Sequence, residues 1–176
     1  MPATPTPSLP PLEEMVMFRL YAAWSRASPV FVRLSEGQFG ITRREWRVLA
    51  AAVAHGPMTS AGLAAAAGLD LVRTSRALGT LCDKGWLQRI PDPRDGRVVH
   101  VHVTEAGHGL YAGLMPEILR LNDILTTDLS TEERTTLLQL LRKVEARGQQ
   151  MADDNLVEAK ASRRLGGTRR ALQGRP

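Results

Sequence analysis

The 176-residue chain has one cysteine, Cys82, so no internal disulfide can brace it, and a lone thiol fits a reducing compartment. No stretch approaches the roughly 20 apolar residues that a membrane span needs. The N-terminal MPATPTPSLPP also lacks the basic start and apolar run of a secretion signal. A cytoplasmic protein with no membrane partner is therefore expected. Absent too are a Gly-x-Ser-x-Gly elbow, a phosphate-binding glycine loop, a cluster of metal ligands and any internal repeat. Those absences argue against an enzyme and against a bound cofactor or metal.

What the chain does have is length for one ordinary domain, or a domain plus an added dimerisation element. Four prolines among the first ten residues make residues 1–11 an expected unfolded or polyproline-like arm. The formal net charge is +5, unevenly spread. Residues 156–176 carry Lys160, Arg163, Arg164, Arg169, Arg170 and Arg175 against Glu158, with little apolar content, and are expected to be a disordered basic tail. Between 41 and 97 lie nine basic and five acidic residues, a surplus of +4, so the rest of the body is acidic. A positive segment within an otherwise acidic body is the electrostatic footprint of a polyanion-binding surface.

Apolar residues recur with helical spacing from Leu12 to Leu34, interrupted at Pro29, where Ser28 could cap a restarted helix or Pro29 could kink a continuous one. Thr42-Arg43-Arg44-Glu45 is a capping box opening a second helix that ends at His55-Gly56-Pro57. Ser60 is expected to cap a short alanine-rich helix ending at Ala67, with Gly68 as its left-handed stop. Asp70 then caps a helix from Leu71 to about Lys84, whose inner face is read as Leu71, Leu78, Leu81 and Cys82. After Gly85, Trp86–Ile90 and Val98–Val103 make two strands of a hairpin. Thr104 caps a further helix with Pro116 as an expected bend, and Ser130-Thr131-Glu132-Glu133 is a second capping box opening the last one.

Two helices across a short turn followed by a basic hairpin spell a winged helix-turn-helix, so the expected fold is mainly α with a small β-hairpin wing. Residues 12–40 and 105–155 exceed what is needed to cover a lobe of residues 41–104. They are expected to be N- and C-terminal dimerisation helices, because such modules pair to read two half-sites.

The chain resembles the MarR family of bacterial transcription regulators over roughly residues 12–150. Asp95-Gly96-Arg97, then Val101-His102-Val103-Thr104 and Gly107, follow the family's D-x-R-x3-V-x-L-T-x-x-G wing pattern, with Val103 in place of leucine. FGITRREWRVLAAAVAHGPMT, RTSRAL and KGWLQR are also family-like. The resemblance implies an obligate dimer of triangular outline on palindromic operators, often released by a small phenolic or aromatic-acid ligand, and nucleoid-associated when bound to DNA.

Within that frame Arg73, Thr74 and Arg76 are candidates to read base edges, since arginine can hold guanine O6 and N7 and a threonine methyl can pack on thymine. Ser75 suits a phosphate. Arg94 and Arg97 flank Asp95 at the hairpin tip and suit the negative minor groove, with Asp95 expected to pair with and aim Arg97. For an aromatic carboxylate effector the candidates are Arg19, Tyr21, Trp24 and Arg26, with Arg44 and Trp46: a guanidinium clamps the carboxylate and rings cover its face. Arg19, Arg26 and Arg33 recur seven apart and could instead make intersubunit ion pairs. The competing readings are architectural DNA binding without a ligand, a redox switch at Cys82, or metal sensing through His100 and His102.

Overall fold

A computed structural model describes residues 10–157 and Ala159. Nearly all of the expected N-terminal arm and basic tail lies outside these residues. A single 3₁₀ turn, Leu12–Glu14, leads into α1 (Val16–Val32). Pro29 does not break α1 and Ser28 does not cap a new helix. A proline removes one backbone donor, and the following turn holds because the Arg33 amide bonds the carbonyls of Pro29 and Val30. The chain then widens into π turns over Arg33–Gln38, which bury Leu34 and Ser35.

At the head of α2 (Arg43–His55) the Thr42 hydroxyl accepts the Glu45 amide at 3.3 Å and the Glu45 carboxylate accepts the Thr42 amide at 3.0 Å. The next cap differs from expectation by one residue. Thr59, not Ser60, is in extended geometry, and its hydroxyl accepts the Gly62 amide at 3.2 Å, so Ser60 is the first residue of α3 (Ser60–Ala67). Gly68, at φ +60°, ends α3, a conformation in which a Cβ is strained. Asp70 caps α4 (Leu71–Asp83).

Antiparallel β1 (Leu87–Pro91) and β2 (Val99–Val103) form the wing, pairing Leu87 with Val103 and Pro91 with Val99. The turn before α3 is stitched to it, since the Val101 amide donates to the Met58 carbonyl at 2.9 Å. Thr104 caps α5 (Glu105–Leu125), which runs through Pro116, and the Ser130–Glu133 box opens α6 (Thr131–Asp153).

The core is that of the helix-turn-helix lobe. Ile41, Val48, Leu49, Leu63, Leu78, Leu81, Leu87 and Val101 are fully buried, and Leu114 is the buried anchor from α5. Lys84 clamps the lobe from outside: its Nζ donates to the Glu45 carboxylate at 3.0 Å and to the Gly40 carbonyl at 2.8 Å. By contrast α1 and α6 have no buried residue, and Met17, Phe18, Leu137, Leu138 and Leu140 lie exposed along them.

Candidate nucleic-acid interface

The phase of α4 decides which side chains can meet a partner. Thr74, Ala77, Leu78 and Leu81 form its buried stripe, at the i, i+3, i+4 and i+7 positions of one helical face. Thr74 is therefore not a base-reading residue. It is wholly buried, and its hydroxyl donates to the Asp70 carbonyl at 2.9 Å, the back-bond a helical threonine makes one turn upstream. Leu71, expected inside, is instead 46% exposed, because the packed stripe begins only at Thr74. Ser75 and Arg76 are exposed. Arg73 is half-buried, and its guanidinium lies 3.0 Å from the Asp70 carboxylate, so the cap residue also steers an arginine along the outer surface of the first turn.

The hairpin tip is shaped by a residue that sequence reasoning overlooked. Asp92 accepts the Arg94 amide at 2.7 Å and the Asp95 amide at 3.3 Å, and its other oxygen lies 3.2 Å from His100 Nε2. The available signal was the Asp-Pro-Arg-Asp run, since aspartate readily turns a chain by bonding the backbone two residues on. Asp95 does not pair with the Arg97 side chain. Its carboxylate accepts the Arg97 backbone amide at 3.0 Å, which fixes the turn and leaves the guanidinium outward. Arg94 and Arg97 are both exposed.

The amides of Arg94 and then Asp95, with His100 adding to them, hold the Asp92 carboxyl below the usual carboxylate range. A lowered carboxyl contributes order above its unfolded pKa and loses it as pH falls through the folded value, so the turn stays intact through neutral and mildly acidic pH. Replacing Asp92 with alanine should speed hydrogen exchange at the Arg94 and Asp95 amides while leaving that of α4 unchanged. Unaltered exchange at the tip would mean that the hairpin holds itself without Asp92.

The residues considered for an effector site lie along two elements. Arg19, Tyr21, Trp24 and Arg26 are exposed on α1, and the Arg26 guanidinium reaches the Ala22 carbonyl at 3.5 Å. Arg44 is exposed on α2, but it is its neighbour Arg43 that lies over the Trp24 ring, 4.7 Å from the centroid. Trp46 is half-buried and stacked on Tyr111 of α5 at 5.3 Å, so it pins α2 to α5. His100 is engaged by Asp92, whereas His102 lines a separate hollow of about 250 Å³ with Val53, Pro57 and His108. Among the described residues no three histidine, cysteine or acidic side chains converge as metal ligands do. Burial pushes the Cys82 thiol up, with Arg89 only partly opposing, which disfavours the thiolate that a redox switch requires. Among the described residues no helix is long and apolar enough to cross a membrane.

A helix-turn-helix whose second helix bares Ser75 and Arg76, joined to an exposed hairpin carrying Arg94 and Arg97, defines a winged-helix DNA-binding protein. The MarR family model matches residues 39–98. The chain is also 30% identical over 147 residues to the HTH-type transcriptional repressor NicR of Pseudomonas putida, covering 79% of this chain and 92% of that protein. It belongs to the MarR family of transcription regulators, a family of regulators rather than enzymes. Solved structures share the fold. A cysteine-to-serine mutant of Escherichia coli MarR complexed with operator DNA aligns at TM-score 0.62 and 28% identity, covering 76% of this chain and 96% of that one. Bordetella bronchiseptica BpsR, whose DNA binding is regulated by 6-hydroxynicotinic acid, aligns at TM-score 0.68 and 24% identity, covering 75% and 99%.

Proposed function

We propose that this chain is a homodimeric repressor that binds a palindromic operator and is released from it by a small aromatic acid. The observation that carries the DNA half of the proposal is the outward face of α4. Arg76 stands free there to hold a guanine bidentately, with Ser75 beside it for a phosphate and Arg73 on the same turn. Arg94 and Arg97 on the wing supply cationic contact to the neighbouring minor groove, and Asp95 acts on that contact through the backbone. Two copies are favoured by α6, a 23-residue helix with no buried residue and with Leu137, Leu138, Leu140 and Val144 uncovered, because so much apolar surface is costly to leave in water.

The effector half rests on α1. Arg19 and Arg26 share one side of α1, seven residues apart, and Tyr21 and Trp24 lie on the other, beside exposed apolar residues, so a second copy would have to bring the two sides together around one ligand. An enclosed guanidinium needs an anionic partner, which an aromatic carboxylate provides together with a face for the rings. From α2 it is Arg43 that lies against this set, over the Trp24 ring, and we assign Arg44 and Trp46 of the same helix to the ligand as further contacts. Release then follows if the ligand binds more tightly to a dimer whose two α4 helices no longer match successive major grooves.

Thermal-shift screening of aromatic carboxylates, followed by release of operator DNA with each hit, tests this reading. Arg26→Ala is expected to keep operator affinity within about twofold of wild type and to abolish release, while the dimer persists in sedimentation. Dissociation of the dimer by the substitution would make Arg26 an intersubunit ion-pair residue instead.

A further inference from the structure

The first turn of α4 carries two aliphatic side chains that the fold leaves bare. Leu71 is 46% and Val72 63% exposed, whereas the face behind them is packed from Thr74 to Leu81. Both are held in helical geometry by Asp70, whose carboxylate accepts the Arg73 amide at 2.7 Å. Val72 precedes Ser75 and Arg76 by three and four residues and so shares their outward surface, and Leu71 precedes Ser75 by four. These aliphatics add nothing to the core, and a phosphate-gripping surface has no use for them. The major groove offers one apolar group on a base edge, the C5 methyl of thymine. Thr74, whose methyl would be the obvious reader, is buried.

Resting on the operator-reading role proposed above for α4, we propose that Leu71 and Val72 read thymine methyls, and that each half-site sets a thymine close to the guanine held by Arg76. The helix advances about 5.4 Å per turn and the duplex about 3.4 Å per base pair along a strand. One helical turn between Val72 and Arg76 therefore corresponds to one or two base pairs. The amino-terminal end of the helix enters the groove with the aliphatic pair, and arginine fixes the register one turn behind it.

Duplexes enriched from a random pool by the full chain identify the bound sequence, and the guanine of interest is the one to whose replacement the Arg76→Ala variant is indifferent. Deoxyuridine is then substituted for each neighbouring thymine, which removes only the methyl group. Binding should weaken about threefold to fivefold per contacted methyl, the value of burying roughly one CH₂-sized group. The penalty should vanish in a Leu71→Ala, Val72→Ala double variant, which keeps its fold because both positions are exposed and alanine favours a helix. Failure to enrich any sequence would refute sequence-specific reading itself, and the inference with it. The inference alone is overturned if no thymine lies within two base pairs of that guanine, if uracil binds as well as thymine, or if the double variant still discriminates.

Discussion

Arg76→Ala should weaken operator binding by about 1 to 3 kcal/mol, the value of a lost bidentate base contact, and should barely alter binding to a scrambled duplex of the same length. The asymmetry follows from geometry. Arg76 is exposed in the middle of the outward face of α4, so its loss removes neither core packing nor a cap. Arg97→Ala provides the contrast. Its side chain leaves a turn held by backbone bonds to Asp92 and Asp95, so the hairpin survives truncation. Both duplexes should lose affinity, and the slope of log affinity against log salt should flatten by about one unit if one phosphate-level contact is lost. Titrations of both variants on both duplexes at several salt concentrations separate the roles. Equal losses of Arg76→Ala on the two duplexes would reduce Arg76 to a phosphate contact.

Gly107→Ala should be the most damaging single-methyl change to stability. Gly107 is buried in the first turn of α5, and an added Cβ would run into the Trp86 carbonyl oxygen and lie 2.9 Å from a Val103 methyl. The carbonyl is backbone and cannot swing aside, and it already accepts the Thr104 amide at 3.1 Å. Thr104 locks the same corner, its hydroxyl accepting the Gly107 amide at 3.0 Å and donating to the Gly85 carbonyl at 2.7 Å. Overpacking of this kind costs about 1 to 3 kcal/mol. For a domain of this size that lowers Tm by roughly 2 to 12 °C, compared at fixed protein concentration because the proposed pairing of two copies would make Tm depend on it. An unchanged Tm would show that α5 can slide away from the wing, and that the wing is not rigidly joined to the helices behind it.

The features legible in the sequence are those whose donor and acceptor lie within a few residues of each other. The Thr42–Glu45 and Ser130–Glu133 boxes, the Asp70 and Thr104 caps and the glycine stop at Gly68 are all of this kind. Thr59 against Ser60 is not, because either hydroxyl can cap. Thr59 takes the role in a segment where the neighbouring Met58 is paired with Val101 of β2, a contact made by the fold. The phase of α4 departs from the sequence pattern for a related reason. Leu71 lies seven residues before Leu78 and so shares its face, but the packed stripe reaches only to Thr74, which leaves an apolar residue outside and a polar one inside. At the wing, sequence suggests a carboxylate–guanidinium pair, and the tight turn instead presents the Arg97 amide to Asp95. The Trp46–Tyr111 stack and the Lys84–Glu45 bond join residues far apart in the chain, beyond the reach of local pattern.

If α4 and the wing read a particular DNA sequence, affinity must depend on base order and not on charge alone. The most direct measurement is the affinity of the full chain, at physiological salt, for a palindromic duplex enriched from a random pool and for the same bases scrambled. The enriched duplex should be preferred by at least about 10³-fold, the lower end of the range for specific regulators. Equal affinity for the two, with the same salt slope, would contradict it and leave only charge-driven binding to the phosphate backbone.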